Sequence, residues 1–187
     1  MKRLIIVILF TIPIYLNGQT KLPLPIVDNK IIFTEVVMVD SIQKDQLYSR
    51  IKLWFADNFK STKDVIQLDD KENGIVLGKG NILKRESGIQ PVFKTWKFSV
   101  KVQTKDNKYK VDIYDIDYTF EMPGNNIGAK PSEINLDTYF FDQRIYKKDG
   151  GLKDVVLKFA NETNDNFNFI LSSIKKSMSE KRKKDEF

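Results

Sequence analysis

VFKTWKFSVKVQTKDNKYKVDIYDIDYTFEM, residues 92–122, is the stretch on which the fold turns. In its first half the even positions Trp96, Phe98, Val100 and Val102 are apolar, and the odd positions Lys97, Ser99, Lys101 and Gln103 are polar. That period of two predicts a half-buried strand over 92–104. Asp106-Asn107 then fits a two-residue type I′ hairpin loop. Such a loop pairs residues whose numbers sum to 213, so Val102 faces Val111 and Val100 faces Ile113. Past residue 113 the apolar phase slips, because Ile116, Tyr118, Phe120 and Met122 are now even. One extra residue near Tyr114-Asp115, a β-bulge, restores the match. Beyond it the sum is 214, so Phe98 meets Ile116 and Trp96 meets Tyr118. The opposite face obeys the same register: Lys101 falls across from Asp112, and Lys97 from Asp117. Opposite charges across a ladder contribute about 0.2–1 kcal/mol each. The acids Asp112, Asp115, Asp117 and Glu121 therefore read as one side of a solvated sheet face.

Working outward, Leu22-Pro23-Leu24-Pro25 belongs to an extended lead-in, and the β-branched run Ile31–Val39 predicts a first strand. Asp40-Ser41 supplies a cap before an apolar stripe, Leu47, Ile51, Trp54, Phe55 and Phe59, at helical spacing. Val65–Leu68 reads as a short strand, 69–74 as a turn, and Ile75–Leu83 as a strand interrupted by Gly78 and Gly80. Residues 123–131 form a Gly/Asn-rich loop. Leu136–Tyr146 fits neither period cleanly. After Gly150-Gly151, a stripe from Leu152 and Val155 to Met178 predicts one long helix, with a charged tail over 179–187. Residues 19–178 thus form a single α+β domain.

The chain of 187 residues contains no Cys and no His. Disulfides, thiolate nucleophiles, Cys-bound metals and Ser-His-Asp triads are thereby excluded. No cofactor or metal site is expected. The first residues follow the order of a secretory signal peptide: Met1-Lys2-Arg3, then the apolar run Leu4–Leu16, then Asn17-Gly18. At about 1.5 Å per residue that run reaches roughly 20 Å, short of the ~30 Å hydrocarbon core. Cleavage near Gly18 and an exported, periplasmic or secreted product are expected. Removal of 1–18 leaves 29 cations against 25 acids, and residues 19–174 alone hold 23 against 22. The pI of about 9.3 therefore reports the chain ends. A near-neutral body predicts no nucleic-acid binding, which needs a basic patch.

KIIFTEVVMVDSIQKDQLYSRIKLWFADNFKSTKDVIQLDDKENGIVLGKG, residues 30–80, and less sharply the strands around Trp96 and Tyr109–Tyr118, resemble a family of secreted Bacteroidota domains described as having a TATA-binding-protein-like (TBP-like) fold. The most characteristic pieces are Ile32–Val39, Leu47-Tyr48…Trp54-Phe55, and Gln67-Leu68-Asp69-Asp70 followed by Gly78-Lys79-Gly80. The resemblance covers about half the chain. It implies a curved antiparallel sheet of about five strands with two main helices packed on one face. It carries no activity or ligand, so no functional residue transfers.

Each candidate site competes with a plainer explanation. Gly78-Lys79-Gly80 lacks the remaining residues of a phosphate loop. Two absent side chains on one strand face fit a closely packed helix instead. Asp69, Asp70 and Glu72 miss the EF-hand spacing and fit a polar turn. Of the aromatics Trp96, Tyr109, Tyr114, Tyr118 and Phe93, the register leaves Tyr114 and Phe93 on the polar face as ligand contacts. Lys181-Arg182-Lys183-Lys184 offers weak contact to an anionic membrane, about 1 kcal/mol per charge. Asp40-Ser41-Ile42 resembles the Asp-Ser/Thr-apolar O-glycosylation sequon of exported Bacteroidota proteins and equally fits a helix cap.

These readings converge on an exported envelope protein that acts as a non-enzymatic binding or structural module. Its expected contact surface is the sheet face carrying Phe93, Lys97, Ser99, Lys101, Asp112, Tyr114 and Asp117. The expected partner is an envelope protein or a glycan. The alternative is a carboxylate-dependent hydrolase of envelope glycans, drawing on Asp69, Asp70, Asp112, Asp115 and Asp117. Nucleic-acid binding on the sheet saddle rests on fold analogy alone.

Overall fold

The computed structural model describes residues 22–59, 65–88, 91–122 and 133–180. The signal-peptide segment and the cluster Lys181–Lys184 lie outside these.

A two-stranded ribbon, β1 (Ile26–Val27) and β2 (Lys30–Ile31), opens the described chain. Its loop, Asp28-Asn29, has positive φ at both residues (50° and 58°), the type I′ geometry whose twist matches paired strands. The expected extended lead-in is therefore partly a hairpin. β3 (Phe33–Met38) leads into α1 (Lys44–Asn58), then β4 (Ile66–Asp70), β5 (Ile75–Glu86), β6 (Val92–Lys105) and β7 (Lys108–Glu121). The chain continues through β8 (Glu133–Asn135), the short helix α2 (Leu136–Phe140), a 3-10 turn (Gln143–Ile145) and α3 (Asp154–Ser179). The sheet is antiparallel in the order β3-β7-β6-β5-β4. β8 forms a sixth strand, on the same edge of β7 as β3. β3 pairs with Lys108–Ile113 and β8 with Asp117–Thr119, so the two flank the bulge.

The bulge lies where the hydrophobic phase places it. Ser99 pairs with Tyr114 and Lys97 with Asp117, leaving Asp115 and Ile116 opposite Phe98. Asp115 absorbs the extra residue with φ of 51°. Left-handed backbone costs an L-residue roughly 1–2 kcal/mol, and Asp tolerates it better than branched side chains do. Asp115→Gly is therefore expected to hold or raise the melting temperature, and Asp115→Val to lower it by several degrees, as calorimetry would show.

Two local expectations are corrected by tertiary contacts. Asp106-Asn107 is not a type I′ turn, since only Asn107 has positive φ (62°). Both side chains are instead engaged by the chain entering α1. Asp106 accepts from the Lys44 N–H (2.8 Å) and Asn107 from the Ile42 N–H (3.2 Å). Orphan donors at the start of α1 thus find partners in a hairpin about 60 residues away, and Asp40-Ser41 forms a turn rather than the cap.

Both long helices pack on one face of the sheet. α1 buries Leu47, Ile51, Trp54 and Phe55, and α3 buries Val156, Ala160, Phe167, Ile174 and Met178. Val155, expected in that stripe, points to solvent instead. The Trp54 indole donates to Ser173 Oγ (2.9 Å), tying α1 to α3, and the Trp96 indole donates to Thr163 Oγ1 (3.1 Å), tying the sheet to α3. Arg50 also donates to the Met178 carbonyl. Gly78 and Gly80 lie beneath α1: a Cβ on Gly78 would stand 2.5 Å from Phe55, and one on Gly80 2.7 Å from Phe59. Their role is close packing, as the missing phosphate-loop residues indicate.

Candidate functional site

Helix cover on one side leaves the other face of the sheet open among the described residues. Register fixes what that face displays. One row across the strands reads Leu68, Leu77, Lys101, Asp112, Thr34. Another reads Asn81, Lys97, Asp117, Asn135. Between them Lys79, Ser99 and Tyr114 align. Lys97, Lys101, Asp112, Tyr114 and Asp117 therefore come together as expected. Phe93 lies four residues along β6 from Lys97 on the same face, half-buried, with the Arg85 guanidinium 5.8 Å from its ring centre. Tyr109 and Trp96 are buried on the covered face, and the Tyr118 hydroxyl there is pushed up to about 12, chiefly by burial.

The ion pairs differ from those expected. Lys97 bonds Glu133 of β8 at 2.7 Å, while Asp117 accepts from the Asn135 amide at 3.0 Å. Asp112 holds Lys110 at 2.9 Å and accepts from Thr34 Oγ1 at 2.7 Å. Long lysine side chains reach diagonal neighbours and other strands as easily as the residue directly opposite. The Tyr114 hydroxyl is raised above its ordinary value, first by burial and then by Asp115 and Asp112 beside it.

A recess of about 470 Å³ opens at the bulge. Lys79, Asn81, Lys97, Asp115, Asp117 and Glu133 are among the residues that line it. The contributions of Glu133, Asn135, Lys79 and Asn81 escaped the sequence analysis. One signal was available: Asn135 precedes Leu136-Asp137-Thr138 and caps α2 by accepting from the Thr138 N–H (3.3 Å), so an ordered element had to begin there.

The acids proposed for hydrolysis do not all share a cleft: Asp115 and Asp117 line the recess, whereas Asp69, Asp70 and Asp112 do not. Asp69 faces α1, where Lys52 (2.6 Å) and the Tyr48 hydroxyl bond it and hold its carboxyl below the usual range. Asp70 ends β4 at the turn before β5, kept low by the Asn73 backbone and amide. Such carboxylates are acceptors and are poor proton donors near neutral pH. Asp112, Asp115 and Asp117 lie on the open face. Among the described residues no group of three or more acids is placed to hold a metal ion.

Residues 33–119 match the model of a family described as a domain of unknown function (DUF4468) with TBP-like fold. No curated protein matches the sequence. Among solved structures, a DUF4468 family protein from Bacteroides ovatus superposes with a TM-score of 0.67 at 17% identity, covering 86% of this chain and 93% of that one. A TBP-like protein from Parabacteroides distasonis gives 0.61 at 15% identity, covering 82% and 96%. At such identities the likeness concerns the fold.

Proposed function

We propose, from the match of residues 33–119 to the model of the DUF4468 family with TBP-like fold, that this protein is an exported, non-enzymatic binding or structural module whose contact surface is the open sheet face. The observation that carries this reading is the asymmetry of the sheet. One face is filled by α1 and α3, while the other holds apolar side chains out among lysines: Val36 is 61% exposed, Met38 68% and Leu83 62%. Apolar groups interleaved with charge on a bare face are the composition of an interface rather than of a simply solvated surface. At the recess Asp117 accepts from Asn135 and Glu133 pairs with Lys97, which favours recognition over acid–base chemistry by these two acids. The partner is an envelope protein or a glycan, with no role for nucleic acid and only weak membrane contact through the basic tail.

Photocrosslinking in the host from position 114, with position 172 on the exposed side of α3 as control, tests the reading. A discrete adduct from 114 only, weakened by Lys101→Glu, is expected. Equal adducts from both positions would reject it. Export is tested separately. Intact-mass analysis of the native protein is expected to show loss of Met1–Gly18, and an uncleaved chain in the membrane fraction would overturn the localisation.

A further inference from the structure

We propose that a groove at the far end of the helix-covered face binds a small monocarboxylate with an apolar body. The groove lies where β6 and β7 run past the first turns of α3, on the opposite side of the sheet from the surface just discussed. Its volume is about 370 Å³, within the range of small-ligand sites. Its walls are largely apolar: Tyr118, Phe120, Tyr139 and Phe159, with Ile134 and Val155 at the rim. Tyr118 and Phe159 meet in a tilted arrangement with ring centres 4.6 Å apart, and Tyr139 meets Phe159 edge-on at 5.8 Å. A rigid aromatic wall of this kind orders an apolar ligand with little loss of side-chain freedom.

Charge selects the other end of the ligand. The Lys94 side chain, only 15% exposed, places its ammonium between Glu86 (2.5 Å) and Glu162 (3.0 Å). Lys84 reaches Glu162 at 3.7 Å. Lys158 also lines the groove and makes no ion pair among the described residues. Three ammonium groups therefore face two carboxylates, and the set is one anion short. The two glutamates are not equivalent. Glu162 is mostly covered, whereas the Glu86 side chain is 55% exposed and reaches Lys94 from the solvent side. Glu86 stands where an incoming carboxylate would stand, an internal competitor that a ligand held by Lys94 and Lys158 displaces.

The carboxylate could belong to a free acid or to a peptide C-terminus, and the test separates them. The probes are 4-phenylbutyrate, its neutral amide, and acetyl-Gly-Phe with a free or an amidated C-terminus, titrated into ¹⁵N-labelled protein. The expected result is saturable shifts confined to residues 94, 118–120, 134 and 155–162, with the acid at least about tenfold tighter than its amide, roughly 1.4 kcal/mol. Whichever acid binds tighter identifies the source. Lys158→Ala, at an exposed position, is expected to weaken binding several-fold. Glu86→Gln is expected to tighten it, a sign that loss of a merely structural ion pair does not produce. Equal binding of acid and amide, scattered shifts, weaker binding by Glu86→Gln, or no saturation with any probe would overturn the proposal.

Discussion

Trp96→Ala is expected to destabilise the domain by about 3–5 kcal/mol, the scale of a large aromatic lost from a core. The ring is fully buried and joins two layers of the structure. Its centre lies 5.0 Å from that of Tyr118 and 6.3 Å from that of Phe159, and its indole N–H satisfies Thr163 inside α3. Truncation opens a cavity between sheet and helix and leaves a buried hydroxyl short of a donor. Urea denaturation with an unchanged slope would register this as a lower midpoint. A Trp96→Phe variant keeps most of the volume and is expected to recover part of the loss. If Trp96→Ala were silent, α3 would not be packed against β6 as described.

Gly78→Ala is expected to cost about 3 kcal/mol, the upper range for overpacking a filled core. The added methyl would meet the Phe55 ring at 2.5 and 2.9 Å, and the carbonyl of Val65 at 3.1 Å. Phe55 is fully buried and held edge-on by Trp54 at 5.0 Å, so the ring has nowhere to retreat. Gly78→Ala combined with Phe55→Leu is expected to be more stable than the two separate losses added together, because the smaller side chain admits the methyl. Purely additive losses would show that Gly78 is required for its backbone rather than for the approach of α1.

The same residues explain how far the sequence could be read. Period-two alternation across Trp96–Val102 and its phase change before Ile116 located the β6–β7 register and the bulge, because a one-residue slip turns every apolar side chain to the wrong face. The stripe Leu47–Phe55 and most of that in α3 were legible for the analogous reason at helical period. What escaped depends on contacts remote in sequence. The start of α1 is held by Asp106 and Asn107, and that engagement overrides the local preference of the Asp106-Asn107 turn. Val155 stands one residue off the buried stripe: its neighbour Val156 takes the covered position, and Val155 turns to solvent. Lys97 chooses Glu133 of a three-residue strand over Asp117 directly opposite, a choice that no two-strand register encodes. On the open face, accordingly, the membership of Lys97, Lys101, Asp112, Tyr114 and Asp117 was legible, while the β8 side of the recess was not.

A lysine-reactivity footprint measures whether the open sheet face is covered in the cell. Purified protein and the protein in its native envelope fraction are labelled with an amine-reactive ester, and peptide mass spectrometry quantifies each site. Lys97 and Lys110 on the open face, and Lys175 and Lys176 on α3, all have side chains at least 48% exposed in the isolated chain. Lys97, Lys101 and Lys110 are expected to lose reactivity in the envelope while Lys175 and Lys176 keep theirs. Protection of the α3 lysines alone, or equal labelling of all five sites in both samples, would contradict it.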